Sequence, residues 1–348
     1  MVSLPTTKSE SPLLYSELDE WKDITPIPQE EEGFAPLAPI LYGDEYKDAT
    51  NYFRAIVKKG EHSKRVLDLT EHIIRLNPSH YSVWQYRYDT LLAIKADLEQ
   101  ELRLMDEIAT KFLKTYQVWH HRRLLLSAVR NPGPELAFIQ KGLEEDSKNY
   151  HTWAYRQWIL SEFNEDELWR EEIPYVDDLL HQDIRNNSVW HHRFFVLWDS
   201  GVHPGQEDRE ELLANELRFV KYKISLAPNN PSAWNYLRGI LEHSETPFST
   251  IETFVIPYTK SQQEASNVED LDNPAPSPKA ELPCVQAVEF LADIRIESIS
   301  PDTDSVQSNL KEAEALYSIL AEELDPMRKK YYEYLQREAV IRVFAGTA

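Results

Sequence analysis

Along most of the chain apolar residues recur at steps of three and four, the spacing that gathers them on one face of an α-helix, and strand-like alternation is scarce. Between Leu102 and Leu113 the apolar residues Met105, Ile108 and Phe112 share a face, with Asp106, Glu107 and Lys111 interleaved. Ile173, Val176, Leu179 and Leu180 repeat the pattern, as do Leu213, Leu217, Val220 and Ile224. Each segment predicts an amphipathic helix of about three turns, too short to be stable alone and dependent on its neighbours.

A second, longer period is anchored on tryptophan. Five segments follow one another: Asn77-Pro-Ser-His-Tyr-Ser-Val-Trp84-Gln-Tyr-Arg87, Lys114-Thr-Tyr-Gln-Val-Trp119-His-His-Arg122, Lys148-Asn-Tyr-His-Thr-Trp153-Ala-Tyr-Arg156, Arg185-Asn-Asn-Ser-Val-Trp190-His-His-Arg193, and Pro228-Asn-Asn-Pro-Ser-Ala-Trp234-Asn-Tyr-Leu-Arg238. The tryptophans are 35, 34, 37 and 44 residues apart, which accommodates two helices of three or four turns and two short connections. The expected fold is therefore all-α, an α–α superhelix in which helical hairpins stack as a crescent-shaped solenoid. Pro and Asn before each tryptophan mark the joints, and the long last step carries a loop insertion beginning at Gly201.

The helical-repeat domain is expected to span 41–348, with a loop at 261–283, rich in Ser, Asn, Pro and acidic residues, and three capping helices near 285–297, 306–323 and 326–343. Residues 1–40, Pro-rich and carrying Glu30-Glu31-Glu32, read as an extended or disordered tail.

Charge narrows the function. Lys and Arg total 37 against 59 Asp and Glu, a net charge of −22, which argues against a nucleic-acid footprint. A lone cysteine, Cys284, excludes an internal disulfide framework and a thiolate-rich zinc site and suits a reducing, cytoplasmic setting. No stretch approaches the roughly 18 apolar residues of a membrane span, and no targeting segment is visible.

Trp and the Arg three residues later share a helix face, so they read first as packing between repeats, with the Arg satisfied by carboxylates or carbonyls. Adjacent histidines, His120-His121 and His191-His192, point about 100° apart on a helix and are poorly placed to share a metal ion, so no metal site is expected in this chain. In a solenoid, equivalent positions line one edge, which sets Lys114, Tyr116, Gln117, Lys148, Tyr150, His151, Arg185 and Asn187 at successive joints. Each joint opens a helix N-terminus, where backbone N–H groups favour an anion. No nucleophile, Gly-rich phosphate loop or metal motif completes a reaction.

The repeated Asn/Lys-x-Tyr-x-x-Trp-x-x-Arg unit resembles the α-subunit repeats of protein prenyltransferases, whereas tetratricopeptide signatures are absent. The run from Glu20 to Gln29, followed by Tyr42-Gly-Asp-Glu-Tyr-Lys, is similar to the lead-in of the α-subunit shared by farnesyltransferase and geranylgeranyltransferase type I. The resemblance covers about 20 to 245. It implies an obligate heterodimer with a β-subunit that holds the catalytic zinc, with magnesium in the assembled enzyme, joining a farnesyl or geranylgeranyl group to the cysteine of a C-terminal CaaX sequence. It further implies that Lys114, Tyr116, Tyr150 and His151 face the isoprenoid diphosphate, that Gln117 receives the peptide carboxylate, and that Tyr81 and Lys148 stand on the same rim. The alternatives are a Rab geranylgeranyltransferase α-subunit and a non-enzymatic helical-repeat scaffold.

Overall fold

The computed structural model describes residues 14–29, 40–201, 209–264, 270, 272–299 and 306–345, and all regular structure among them is helical. The chain divides into two compact units, Met1–Ile159 and Leu160–Ala348. The first unit contains α1 (Asp44–Lys59), α2 (Lys64–Leu76), α3 (Tyr81–Ala93), α4 (Leu98–Lys111), α5 (Tyr116–Val129), α6 (Glu135–Glu145) and most of α7 (Tyr150–Phe163). The second contains α8 (Asp166–Arg170), α9 (Glu172–Gln182), α10 (Asn187–Phe194), α11 (Arg209–Leu226), α12 (Pro231–His243), α13 (Glu252–Val255), α14 (Val285–Glu297), α15 (Val306–Ile319) and α16 (Lys329–Ala345).

Every repeat is a helix, a short joint and a tryptophan-bearing helix, and each joint is closed the same way. The indole N–H donates to the carbonyl six residues earlier: Trp84 to Pro78 at 2.8 Å, Trp119 to Leu113 at 2.8 Å, Trp153 to Ser147 at 3.0 Å, Trp190 to Ile184 at 2.8 Å and Trp234 to Pro228 at 2.8 Å. All five tryptophans are buried. One side chain thus satisfies a joint carbonyl and fills the core beneath it.

Repeats are fastened together by buried carboxylates. Glu101 on α4 accepts from Arg87 on α3 at 2.7 and 2.8 Å and from His121 on α5 at 3.0 Å. Glu135 on α6 takes Arg122 from α5 at 2.8 Å and the Tyr155 hydroxyl from α7 at 2.8 Å. In the second unit, Glu216 on α11 takes Arg193 from α10 at 2.6 and 2.8 Å and Tyr236 from α12 at 2.6 Å. The sequence pattern sets the arginine three residues after the tryptophan against carboxylates or carbonyls. For Arg87, Arg122 and Arg193 the partner is a carboxylate from the next repeat's first helix, that repeat's own His or Tyr completes the bridge, and Arg87 also donates to the Leu67 carbonyl at 2.6 Å. In the fifth repeat Leu237 takes the arginine's place, and Arg238 pairs with Asp293 on α14 instead.

Part of the expected extended tail is packed. Tyr15, Trp21 and Ile24 are buried against the first hairpin, with Trp21 edge-on to Tyr52 at 5.7 Å and the Tyr15 hydroxyl bonded to His72 Nδ1 at 3.0 Å. Aromatic side chains in a short acidic segment outweigh its lack of periodicity. Residues 1–13 and 30–39 lie outside the described residues.

The capping helices fall where expected: α14 starts at Val285, α15 continues through a π turn at Leu320–Leu324, and α16 follows a 3₁₀ turn at Pro326–Arg328. Residues 261–264 and 272–283 form turns and irregular chain, pinned by Ser277 N–H to the Ser225 carbonyl at 3.0 Å and by the Asn229 amide to the Glu281 carbonyl at 2.8 Å. The rest of that loop, and the insertion after Gly201, lie outside the described residues.

Burial alone would raise the pKa of Glu101, but its bonds to His121 and Arg87 outweigh that and hold it at about 2. Burial keeps His121 below its usual range, so it is a neutral donor near pH 7. A carboxyl whose folded pKa is depressed stabilises the fold above its unfolded value and loses that contribution as pH falls through the folded one. Glu101 should therefore contribute up to about 3 kcal/mol near neutrality, lost between about pH 4.5 and 2. The thermal midpoint of Glu101→Gln should be lower near pH 7 and approach that of the native chain at the acid end. Parallel curves for the two proteins would contradict this.

Candidate functional site

In the first unit, α3, α5 and α7 line a cleft of about 620 Å³. Each of these helices begins with a tyrosine three residues before its tryptophan, and Tyr81, Tyr116 and Tyr150 are 74, 67 and 69% exposed. Large aromatic rings left in solvent at three equivalent positions are not required by the core, which the neighbouring tryptophans already fill. The equivalent fourth and fifth positions are Asn187 and Pro231.

His151 gathers the rim. Its ring meets Tyr116 edge-on at 4.3 Å and 89°, lies 5.5 Å from Tyr150, and is hydrogen-bonded to the Lys114 backbone. Burial lowers its pKa, opposed by the bond to Lys114, so it is neutral near pH 7 and donates one ring N–H to that carbonyl. Gln117 also lines the cleft. Lys114 stands at its mouth, two residues ahead of α5, with its ammonium 3.4 Å from Asp146 Oδ2 and its side chain 81% exposed. So exposed an ion pair holds little energy, which leaves the lysine able to turn toward an incoming anion.

Six of the seven sequence-predicted residues therefore converge: Tyr81, Tyr116, Gln117, Tyr150 and His151 line the cleft, and Lys114 touches it through His151. Lys148 is exposed at the joint before α7 but is not a wall of the cleft. Sequence reasoning missed Gln85, His120 and Arg123. Each follows a rim tyrosine by one or two turns, Tyr81 to Gln85 and Tyr116 to His120 to Arg123, so extending the rim along the helix at four and seven residues would have found them. Both paired histidines border the cleft, but His120 is exposed there, whereas His121 is buried with its Nε2 on Glu101. Among the described residues no cluster of three or more His, Cys, Asp or Glu could hold a metal ion.

The protein prenyltransferase alpha subunit repeat matches residues 63–94, 98–129, 134–163, 169–199 and 213–244, which are the five helical pairs ending in the tryptophan helices. The protein farnesyltransferase/geranylgeranyltransferase type-1 subunit alpha of Dictyostelium discoideum is 35% identical over 327 residues, 92% of each chain. The chain belongs to the protein prenyltransferase α-subunit family. The same-named subunit of Schizosaccharomyces pombe is 46% identical over 230 residues, 65% of this chain and 74% of the relative. A solved structure, Candida albicans protein geranylgeranyltransferase-I complexed with GGPP, matches with a TM-score of 0.77 and 29% identity, covering 93% of this chain and 99% of that one. Within this prenyltransferase family member, the first three repeats carry the tyrosine rim.

Scaffold and rim should separate on substitution. Trp119→Ala removes a buried ring and a joint hydrogen bond and should destabilise the fold by about 3–5 kcal/mol. Tyr116→Ala changes a mostly exposed side chain and should stay within about 0.5 kcal/mol of the native chain in urea unfolding. Comparable losses for both would mean that the rim is structural.

Proposed function

We propose that this chain is the α-subunit of a heterodimeric protein farnesyltransferase/geranylgeranyltransferase type I, transferring a farnesyl or geranylgeranyl group from its diphosphate to the cysteine of a C-terminal CaaX sequence. The observation that carries the reading is the convergence of Lys114, Tyr116, Tyr150 and His151 at the mouth of one cleft, in a chain whose family relatives bear that name. A scaffold that only binds partners has no need of such a donor set.

The reaction forms a bond between the cysteine sulfur and the first carbon of the isoprenoid, while the carbon–oxygen bond breaks and its electron pair leaves with pyrophosphate. Negative charge grows on the leaving group, and preorganised donors meet it best. Lys114 supplies the cation, and the Tyr116 and Tyr150 hydroxyls supply neutral donors. His151 starts neutral, but an anion nearby raises its pKa, so its imidazolium becomes available as the diphosphate binds. Gln117 offers an amide to the peptide's terminal carboxylate, and Tyr81 packs on the same side.

Thiol activation belongs with zinc on the partner β-subunit, which lowers the substrate thiol's pKa when bound, and magnesium belongs with the diphosphate. The chain's own Cys284 is no candidate for a thiolate step, since it is buried and burial pushes its thiol up to about 11. The assembled enzyme is assigned to the cytoplasm. No helix among the described residues is long and apolar enough to cross a membrane.

Lys114→Ala should leave the heterodimer intact and lower turnover by about 10²–10³-fold, the loss typical for one donor to developing charge. Isoprenoid diphosphate affinity should change far less, because the charge grows mainly in the transition state. Single-turnover transfer of labelled isoprenoid by purified heterodimer tests this; a rate within about threefold of native would remove Lys114 from the catalytic set.

A further inference from the structure

The cleft reaches deeper than the rim residues need. Tyr116, His120 and Arg123 form one stripe along α5, so Arg123 stands two turns, or about 10 Å, beyond the rim tyrosine. A diphosphate held at the mouth by Lys114 and His151 does not extend that far. Arg123 also differs from the scaffold arginines. Arg87, Arg122 and Arg193 each meet a buried carboxylate. Arg123, half-buried, pairs with no carboxylate among the described residues; it donates from Nη2 to the Ala154 carbonyl at 3.2 Å and packs over Trp158 at 5.2 Å, while its Nε is buried without a partner. Arg122 also leaves its Nη1 unpartnered, so the missing carboxylate is what sets Arg123 apart. A desolvated guanidinium with an unused donor is unfavourable in the free chain, and it invites an acceptor of opposite charge.

The surroundings say what kind. None of the residues lining the cleft is acidic, although Asp and Glu outnumber Lys and Arg by 59 to 37 in the chain. Beside apolar surface from Trp84, Trp119, Leu124 and Ala154, the polar groups in the walls are hydroxyls, amides, imidazoles and the guanidinium, all able to donate. An opening that excludes acids on so acidic a protein is complementary to an acidic group from outside. We infer that Arg123 is an interface anchor: the β-subunit inserts an Asp or Glu side chain into the deep end of the cleft between α3, α5 and α7, where it pairs with Arg123. A permanent partner fits better than a transient substrate, because the unpaired Nε is then exposed only until the heterodimer assembles. The inference rests on the heterodimer proposed above and adds a residue-level contact to it.

The experiment uses the purified heterodimer with Arg123→Gln and Arg123→Lys, and reads the subunit dissociation rate alongside KM for a CaaX peptide and for the isoprenoid diphosphate. Arg123→Gln should speed dissociation by about 30-fold or more, as expected for truncating one member of a buried, hydrogen-bonded charge pair. Arg123→Lys, which keeps the charge but loses the fork, should fall between it and the native protein. Both KM values should stay within about threefold at heterodimer concentrations high enough to keep the subunits together. Far-UV circular dichroism checks folding; should the Gln variant not fold, the Lys variant carries the test. Native dissociation with a raised peptide KM would assign the carboxylate to the substrate, and a raised isoprenoid KM would assign Arg123 to the leaving group; either result overturns the inference. A native chain that joins no β-subunit would instead overturn the proposed function, and this inference with it.

Discussion

A buried carboxylate gripped from both sides governs this fold. Glu101, Glu135 and Glu216 each sit on a repeat's first helix and bind an arginine from the preceding repeat together with a His or Tyr from their own. Charge in an apolar interior is tolerated only when its geometry is satisfied, so a small rotation or slip of one helix would leave both partners exposed to that penalty. Apolar packing supplies most of the attraction between hairpins but tolerates alternative registers. The carboxylate does not, and it selects one phase for every tryptophan helix it touches.

Fixed phase is what creates the cleft. Tryptophan turns inward and seals its own joint, which places the residue three positions earlier at the outer end of the helix and the residue one later on the same outer stripe. Repetition therefore aligns Tyr81, Tyr116 and Tyr150, and behind them Gln85, His120 and Ala154. In the second unit the same two positions hold Asn187 with His191 and Pro231 with Asn235, so the architecture repeats while the aromatic chemistry does not. Tryptophan is common to all five repeats because the fold requires it. The rim changes from repeat to repeat because nothing structural constrains it.

Most of the architecture was legible because its signal repeats. Five tryptophans at nearly constant spacing fix helix number, joint position and the inward face, and the three terminal helices followed from ordinary periodicity. The joint hydrogen bond was not legible, since a carbonyl six residues back leaves no mark on side-chain identity. Nor was the role of Glu101, Glu135 and Glu216, because an acidic residue in an amphipathic pattern reads as solvent-facing until its partner is known. The packed segment around Tyr15 and Trp21 was missed for the opposite reason: two aromatic anchors are enough to fasten a strip of chain that has no periodicity. Among site residues, those at the joints stood out by repetition, whereas His120 reads only as half of a histidine pair unsuited to a metal ion and Arg123 sits outside the repeated motif.

The contrast between two neighbouring arginines shows how the chain divides its work. Arg122 and Arg123 are adjacent on α5 and each leaves one buried donor without a partner, yet one is enclosed by Glu135 and Asp106 with Phe138 against its face, and the other leans on Trp158 with no carboxylate beside it among the described residues. A helix places consecutive side chains about 100° apart, so the same stretch of α5 can bolt one repeat to the next and still present a charged group to the cleft. The two roles impose opposite demands. The bolt's charge must be paired within the chain, because an unpaired charge there would loosen the repeat. A group meant for an outside partner must remain unsatisfied until that partner arrives, so its cost in the free chain becomes part of the driving force for assembly.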